Sequence, residues 1–361
     1  METIKPDRVK HLPYVLYHWR ATSGSDALAG SEKPRSWLAG KRALEAHFAR
    51  LGQKVTITGS PATPTYRRVY PLPPDPPLVS IIIPTKDGIS LLRPCVESIF
   101  TKTTYPNYEV LIVDNNSRER ATIEYFDELA RRNLTVRVLP FKGAFNYSAI
   151  NNFAVFEARG SIIALLNNDI VVITPGWLEE MVSHAIRPDI GAVGAKLLYP
   201  DGSLQHGGVI TGLGGCAGHA QKHLAPGAPG YFYRAMLVHN VSAVTGACLV
   251  VERKIYEQVG GLDETHLAVA FNDIDFCLKI RQAGYRNVWT PFAEMFHYES
   301  ASRGPEDTPE KMARHHREVA TMQLRWGATL WNDPSYSPVL TLEREDFSIA
   351  SIPRVFPLAV T

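Results

Sequence analysis

A chain of 361 residues can bury a large core, with room for two domains or for one large domain with appendages. Its 45% hydrophobic content, 20% charged content and formal net charge of +2 are ordinary for a globular protein and argue against a nucleic-acid partner. No apolar run approaches the roughly 18 residues of a membrane span, and no basic-then-apolar signal opens the chain.

Four cysteines (Cys95, Cys216, Cys248, Cys277) lie far apart, which suggests neither a zinc site nor a disulfide framework. A cytoplasmic protein, soluble or peripheral at the inner face of a membrane, is therefore expected. Residues 1–76 read as an N-terminal extension. In it, Tyr14 to Arg20 suggests a short strand, and Ser36 to Leu51 suggests a helix with Leu38, Ala43, Leu44 and Phe48 as its apolar stripe. Prolines 61, 64, 71, 73, 74, 76 and 77 then mark a stiff linker.

The catalytic core is expected over 77–304. Val79 to Thr85 is a β-branched run that reads as a buried strand, followed by a helix that Ser90 can cap. Tyr108 to Val113 is a second strand, Ala121 to Arg132 a charged helix, Val136 to Leu139 a third strand, and Ser148 to Arg159 another helix. The run from Gly160 to Ile170 then carries a short apolar strand into Asn167, Asn168 and Asp169. Strands and helices alternating in this way predict βαβ units and a mixed, mostly parallel central sheet with helices on both faces. No Gly-x-Gly-x-x-Gly follows the first strand, so a nicotinamide-cofactor fold is not expected.

Three of these strands end in polar clusters: Thr85 with Asp87, Asp114, and Asn167 to Asp169. Ligands of open α/β sheets bind beyond the carboxyl ends of the strands. Carboxylates gathered there repel one another unless a cation or hydrogen-bond donors lie between them, which suits a nucleotide and a divalent metal. Taken alone, Asn-Asn-Asp reads equally well as a turn.

Farther on, Thr174 and Pro175 look like the cap and first residue of a helix. Pro200 to Ser203 marks a hairpin between Gly191–Tyr199 and Leu204–Ile210. A glycine-rich stretch from Gly207 to Gly218 carries His206, His219 and His223 in its neighbourhood. These can bind metal, or can simply be solvated or shape a lid, and their spacing fits no zinc pattern. Ala243 to Val251 reads as a buried strand in which Gly246 signals close approach.

Asn272 looks like a helix cap that places Asp273 in the first turn, as a base or as a capping charge. Asp275 lies roughly 200° farther round the helix and suits Lys279 as a partner. After a last strand, Asn287 to Pro291, comes the cluster around His297 and Arg303, where His297 is a metal ligand or a packed core residue. Residues 305–361 form a C-terminal extension. Its helix, about 309–326, carries Arg314, His315, His316, Arg317 and Arg325, and either packs on the core or meets an anionic acceptor at the membrane.

These motifs, in order, resemble the family-2 glycosyltransferases of the bacterial polysaccharide or O-antigen type. The likeness is carried by Val-Ser-Ile-Ile-Ile-Pro-Thr, Ile-Val-Asp-Asn-Asn-Ser, Leu-Leu-Asn-Asn-Asp, Asn-Asp-Ile-Asp-Phe-Cys-Leu and His-Tyr-Glu-Ser-Ala-Ser-Arg-Gly, with Phe145 to Asn152 and Pro175 to Leu178 in support. It runs from about residue 77 to 303. Trp326 and Asp346 to Ser348 resemble the same subgroup, and Leu-Tyr-His-Trp-Arg near the N-terminus resembles the end of a preceding module in tandem relatives.

The resemblance implies a GT-A fold, a UDP- or dTDP-sugar donor, Mg2+ or Mn2+, and inversion at the anomeric carbon. The acceptor it implies is a saccharide or lipid-linked saccharide. Thr85, Asp87 and Asp114 match nucleoside positions, and Asn167 and Asn168 lie in the donor-binding motif. Asp169 and His297 match metal positions, Asp273 the catalytic base, and Arg303 a diphosphate contact. Asn167 stands where many relatives carry an acid, and Lys86 where a tyrosine is common. A binding module that has lost activity is the competing expectation. A nucleotidyltransferase would need a glycine- and arginine-rich loop after the first strand, which Pro84 to Gly88 is not.

Overall fold

The computed structural model describes residues 4, 8–14, 16–18, 20, 34–60, 63, 65–132, 135–298 and 308–355. Helix α1 (Pro34–Arg50) and a small hairpin of β1 (Thr56–Thr58) with β2 (Arg67–Val69) precede the core. There follow β3 (Val79–Thr85), α2 (Ile89–Lys102), β4 (Tyr108–Asp114), α3 (Arg120–Arg132), β5 (Val136–Pro140) and α4 (Tyr147–Glu157). Next come β6 (Ile162–Leu166), β7 (Ile170–Val172), α5 (Trp177–Ala185), β8 (Ile190–Leu198), β9 (Leu204–His206), β10 (Val209–Thr211) and β11 (Ala217–His219). The chain continues through β12 (His239–Val241), β13 (Cys248–Glu252), α6 (Arg253–Gln258), α7 (Asn272–Gln282), β14 (Arg286–His297) and α8 (Pro309–Trp331).

Ten strands form one mixed, mostly parallel sheet in the order β12-β14-β8-β13-β6-β3-β4-β5, with β7 beside β14 and β9 beside β8. The β6-β3-β4-β5 half is parallel, while β13 runs antiparallel to both of its neighbours. Side chains alternate across a strand. In β3, Ile81 and Ile83 therefore enter one core with α2, α3 and α5, while Ile82 enters the other with α4, α6 and α7. A strand covered on both faces needs a nearly continuous apolar run, which Val110 to Val113 supplies and Val79 to Ile83 supplies but for Ser80, whose hydroxyl donates to Glu109 at 2.7 Å.

The extensions pack on this frame. On the N-terminal side, Trp37 stacks on Tyr66 at 5.5 Å and Phe48 is buried, while Leu38 and Ala43 of the expected stripe face solvent. Arg67 meets Glu180 at 2.7 Å and lies over Phe292. The expected strand from Tyr14 does not form among its described residues, and two of its positions lie outside them. On the C-terminal side, Met322 and Leu330 of α8 enter the second core. Arg325 binds Asp275 and Asp263 at 2.7 Å each, Arg314 meets Glu318 at 3.4 Å, and the His315 ring lies 5.4 Å from that of Phe271. Helix α8 runs on past the expected end to Trp331, with a break at Gly327.

Several expected boundaries move for local reasons. Gly88 in a left-handed conformation, not Ser90, precedes α2. Thr174 and Pro175 form a turn ahead of α5, whose cap position is Gly176. Leu204 to Ile210 divides at Gly207-Gly208 into β9 and β10, and only the β9 part pairs with β8 as the predicted hairpin. Strand β13 begins only at Cys248 because Ala243 bridges Val209 of β10 and Gly246–Ala247 form a turn. The last strand extends to His297, well past Pro291, since β7 pairs with its far end.

Candidate active site

A cleft of about 520 Å³ opens where β3 and β6 end, walled by the start of α7 and the end of β14. Thr85, Asn167, Asn168, Asp169, Asp273 and His297 all line it. The sheet register does the gathering. His297 pairs with Ile170 across the β14–β7 ladder, and Tyr298 N–H donates to the Asp169 carbonyl at 3.0 Å, which sets the histidine beside the acid. Asn167 N–H donates to the Ala247 carbonyl at 3.0 Å, tying the end of β6 to the loop before β13.

Asp169 and His297 form the buried corner of this cleft, 4% and 7% exposed. His297 Nε2 lies 3.2 Å from Asp169 Oδ1 and 3.4 Å from Asn167 Nδ2. Its Nδ1 lies 2.6 Å from Gln205 Oε1, while Gln205 Nε2 donates to the His297 carbonyl at 3.3 Å. The amide oxygen can only accept, so Nδ1 carries a proton and Nε2 points its remaining position at Asp169. Asp169 Oδ1 is buried and has no hydrogen-bond donor. Two lone pairs that close need a proton or a cation between them.

The donor pair (a carboxylate oxygen and an imidazole nitrogen) fits a divalent cation of the Mg2+ or Mn2+ kind. Among the described residues no three His, Cys, Asp or Glu side chains converge as a metal cluster, so the rest of such a shell falls to water or ligand oxygens. His206, His219 and His223 do not make one. His206 and His219 meet edge-on at 4.7 Å, while His223 stacks on Tyr199. Burial, followed by His219 and His297, holds His206 well below the usual histidine range, so it is neutral. The glycine-rich stretch folds as the β10–β11 hairpin, with β10 buried and β11 half-buried.

Asp273 stands on the opposite wall. Its cap neighbour is not Asn272, which is buried and donates to the Val269 carbonyl at 2.9 Å; Phe271, at φ 59°, holds the cap position. Asp273 Oδ1 accepts from Ile274 N–H at 2.9 Å and Oδ2 from Gly246 N–H at 2.8 Å, so two backbone donors fix the carboxylate. Tyr147 donates its hydroxyl to the Gly246 carbonyl at 3.0 Å. Burial, then Asp273, pushes that phenol far above its ordinary range, so it remains a donor. A Cβ on Gly246 would lie 3.1 Å from Tyr147 Oη, so the close approach predicted there is present and a larger residue would push on the Tyr147 hydroxyl.

Asp275 is fully buried on the far side of α7, bound to Lys279 at 3.2 Å, Arg325 at 2.7 Å and Trp326 at 2.9 Å. Glu318 of α8 accepts from Val269 N–H at 2.9 Å and Ala270 N–H at 3.2 Å. The C-terminal helix thus holds both the loop and the helix that present Asp273.

Of the remaining expected residues, Asn168 donates to Thr85 Oγ1 at 3.0 Å inside the cleft. Asp87 and Asp114 stand beside the lining rather than on it. Asp87 Oδ1 accepts from the amides of Arg118 and Glu119 at 2.6 and 2.7 Å, and Asp114 Oδ1 from that of Ser117 at 2.9 Å. Those oxygens shape the 115–119 loop and leave Oδ2 of each outside these bonds. Arg303 lies outside the described residues. Sequence reasoning missed Gln205 and Tyr147, and it did not place His219 at the cleft. Tyr147 lies inside the Phe145–Asn152 motif, which was the one available signal; Gln205 carried none.

A family model described as "Glycosyl transferase family 2" matches residues 80–260. The chain is 52% identical over 353 residues to "Uncharacterized protein y4gI" of Sinorhizobium fredii, covering 97% of this chain and 39% of that protein. It is 39% identical over 346 residues to "O-antigen biosynthesis protein RfbC" of Myxococcus xanthus, covering 96% of this chain and 26% of that one. The chain therefore spans well under half the length of either relative. Among solved structures, the mannosyltransferase PcManGT of Pyrobaculum calidifontis, in complex with GDP-Man and Mn2+, shares the fold. Its TM-score is 0.53 at 18% identity, over 84% of this chain and 76% of that one.

Proposed function

This chain belongs to glycosyl transferase family 2, and we propose that it is a metal-dependent inverting glycosyltransferase of surface polysaccharide synthesis. On this reading it moves a hexosyl or deoxyhexosyl group from a UDP- or dTDP-sugar to a saccharide or lipid-linked saccharide, working in the cytoplasm at the inner face of the membrane. The observation that carries the reading is that Asp169, His297 and Asp273 line one cleft at the carboxyl ends of the strands. The O-antigen description of the Myxococcus relative and the nucleotide-sugar and Mn2+ complex of the Pyrobaculum enzyme point the same way. No helix among the described residues is long and apolar enough to cross a membrane.

In this mechanism Asp169 Oδ1 and His297 Nε2 would hold the cation. A bound Mg2+ or Mn2+ supplies the positive charge that makes a nucleoside diphosphate a competent leaving group. Gln205 keeps the proton on His297 Nδ1 and so keeps Nε2 free. Thr85 and Asn168, with Asp87 and Asp114 behind them, take the nucleoside, and the diphosphate contact proposed for Arg303 rests on the family resemblance alone. Asp273, steadied by two amide donors, accepts the acceptor hydroxyl's proton on a free lone pair as that oxygen attacks the anomeric carbon from the face opposite the diphosphate.

The competing reading, a binding module without activity, draws on Asn167 at a position where relatives carry an acid. One assay separates the two. The protein is mixed with a panel of nucleotide sugars, Mn2+ and saccharide acceptors, and released nucleoside diphosphate is measured. Metal-dependent release supports transfer, whereas binding of a nucleotide sugar with no release across the panel supports the inactive module.

A further inference from the structure

A second cavity, about 500 Å³, lies between the C-terminal extension and the short 3-10 segment Tyr231–Met236. Its walls include Tyr231, Arg234, Trp331, Tyr336, Phe347 and Arg354. Phe347 belongs to the Asp-Phe-Ser motif of the tail, to which the transfer chemistry assigns no role. The Tyr231 ring stacks on Phe347 at 4.9 Å and 17°, and the Tyr336 ring meets it edge-on at 5.1 Å. Phe232, Tyr233 and Phe347 all adopt positive φ (48°, 61° and 59°), a conformation that is costly for aromatic residues and gathers at functional sites.

Two arginines and one acid, Asp333, meet at this cavity. Arg234 lies 5.7 Å above the Phe347 ring, and its Nε is buried without a hydrogen-bond partner. Arg354 also has a buried, unpartnered Nε, and among the described residues its guanidinium donates to the Ser337 carbonyl at 3.5 Å. The acid beside them, Asp333, is taken up by neutral donors: Thr211 N–H at 2.9 Å, Ser242 Oγ at 2.6 Å and Ser335 N–H at 2.7 Å. Among the described residues no carboxylate forms an ion pair with Arg234 or Arg354. Two half-buried guanidinium groups beside an aromatic wall match an anion attached to a flat, ring-shaped body. The β10–β11 hairpin links this region to the first cleft. Its His219 lines that cleft, while Val209 and Ile210 border a small void that also touches Arg234 and Phe347.

We propose that this second cavity binds an anionic saccharide, a sugar bearing a carboxylate or a phosphate, with Arg234 and Arg354 on the anion and the aromatic rings against the sugar. The inference rests on the transferase reading in one respect: the ligand is then a portion of the acceptor chain remote from the attacking hydroxyl.

The test is calorimetry on the full chain at low salt, without donor or metal. The probes are a hexuronic acid oligosaccharide, its neutral hexose counterpart, glucose 1-phosphate and inorganic phosphate. Saturable binding of the uronic oligosaccharide or the sugar phosphate is expected, at least about tenfold tighter than the neutral sugar. Arg234→Gln and Arg354→Gln are each expected to weaken it about tenfold or more, as loss of a charge-assisted contact does. Both variants should bind nucleoside diphosphate with Mn2+ as the wild type does. If Arg234→Gln melts early, Arg354→Gln alone carries the test. Preference for uronate or for sugar phosphate identifies the anion. The proposal is overturned if no probe saturates, if the neutral sugar binds equally well, if inorganic phosphate binds as tightly as the sugar phosphate while the uronic oligosaccharide does not saturate, or if the folded variants bind like the wild type. Because no transfer is measured, a chain that binds the acidic sugar yet releases no nucleoside diphosphate sinks only the transferase reading. The reverse result sinks only this one.

Discussion

Replacing Gln205 by methionine removes the acceptor of the His297 Nδ1 proton while keeping a side chain of similar length. The bond lost is short, 2.6 Å, and fully buried, since Gln205 is 0% exposed. An unsatisfied buried donor costs about 1–3 kcal/mol. The imidazole can recover part of this by moving its proton to Nε2, which already lies 3.2 Å from Asp169 Oδ1. That recovery closes the position a cation needs. Removing an outer partner of a metal-binding histidine typically costs about 10–100-fold in metal affinity, or roughly 1.4–2.8 kcal/mol. Gln205→Met is therefore expected to weaken Mn2+ binding by at least about tenfold, with a small loss of thermal stability. Gln205→Glu, which retains an acceptor, should keep the affinity or raise it. Electron paramagnetic resonance of Mn2+ in the presence of a nucleoside diphosphate measures both variants. A folded Gln205→Met protein with wild-type Mn2+ affinity would refute the reasoning.

Other expectations follow from single contacts. Asp273→Asn should lower the transfer rate by about a hundredfold or more while donor binding survives, read from initial rates and nucleotide calorimetry; near-normal turnover counts against its role. Glu318→Ala leaves the amides of Val269 and Ala270 without their acceptor, costing about 1–3 kcal/mol in denaturant melts. It should also slow transfer more than it weakens donor binding, because the Asp273 loop loosens; equal losses in both would contradict that. Burial alone would raise the Glu180 carboxyl, but His184, Thr290 and Arg67 together hold it at about 2, below its ordinary 4.5. Its contribution, on the order of 3 kcal/mol, is present above pH 4.5 and lost as the pH falls toward 2, so Glu180→Gln should flatten the acid limb of the stability curve. An unchanged limb would show that these partners do not hold Glu180 below its ordinary range.

The parallel half of the sheet was readable because strands buried on both faces are almost continuously apolar, as Val110 to Val113 is and as Val79 to Ile83 is but for Ser80. Strand ends were readable from the polar clusters at Thr85, Asp114 and Asn167. Helix starts were less so. A cap depends on one backbone conformation, and Gly88, Gly176 and Phe271 took the positions that Ser90, Thr174 and Asn272 seemed to claim by residue type. The meeting of positions 169, 273 and 297 was expected through a family resemblance, since no local spacing connects residues so far apart. Gln205 was invisible for a deeper reason. It sits on a three-residue strand, and it reaches His297 only because β9 pairs with β8 and β8 with β14. The role of α8 was hidden likewise: Glu318 and Arg325 look like ordinary surface charges until the fold brings them to the loop and helix of Asp273.

Anomalous diffraction from crystals grown with Mn2+ and a nucleoside diphosphate tests the central claim most directly. The account predicts one manganese peak bonded to Asp169 Oδ1 and His297 Nε2, with the diphosphate in the cleft that Asp273 faces. A nucleotide bound elsewhere, or manganese bound to neither of those two atoms, would contradict it.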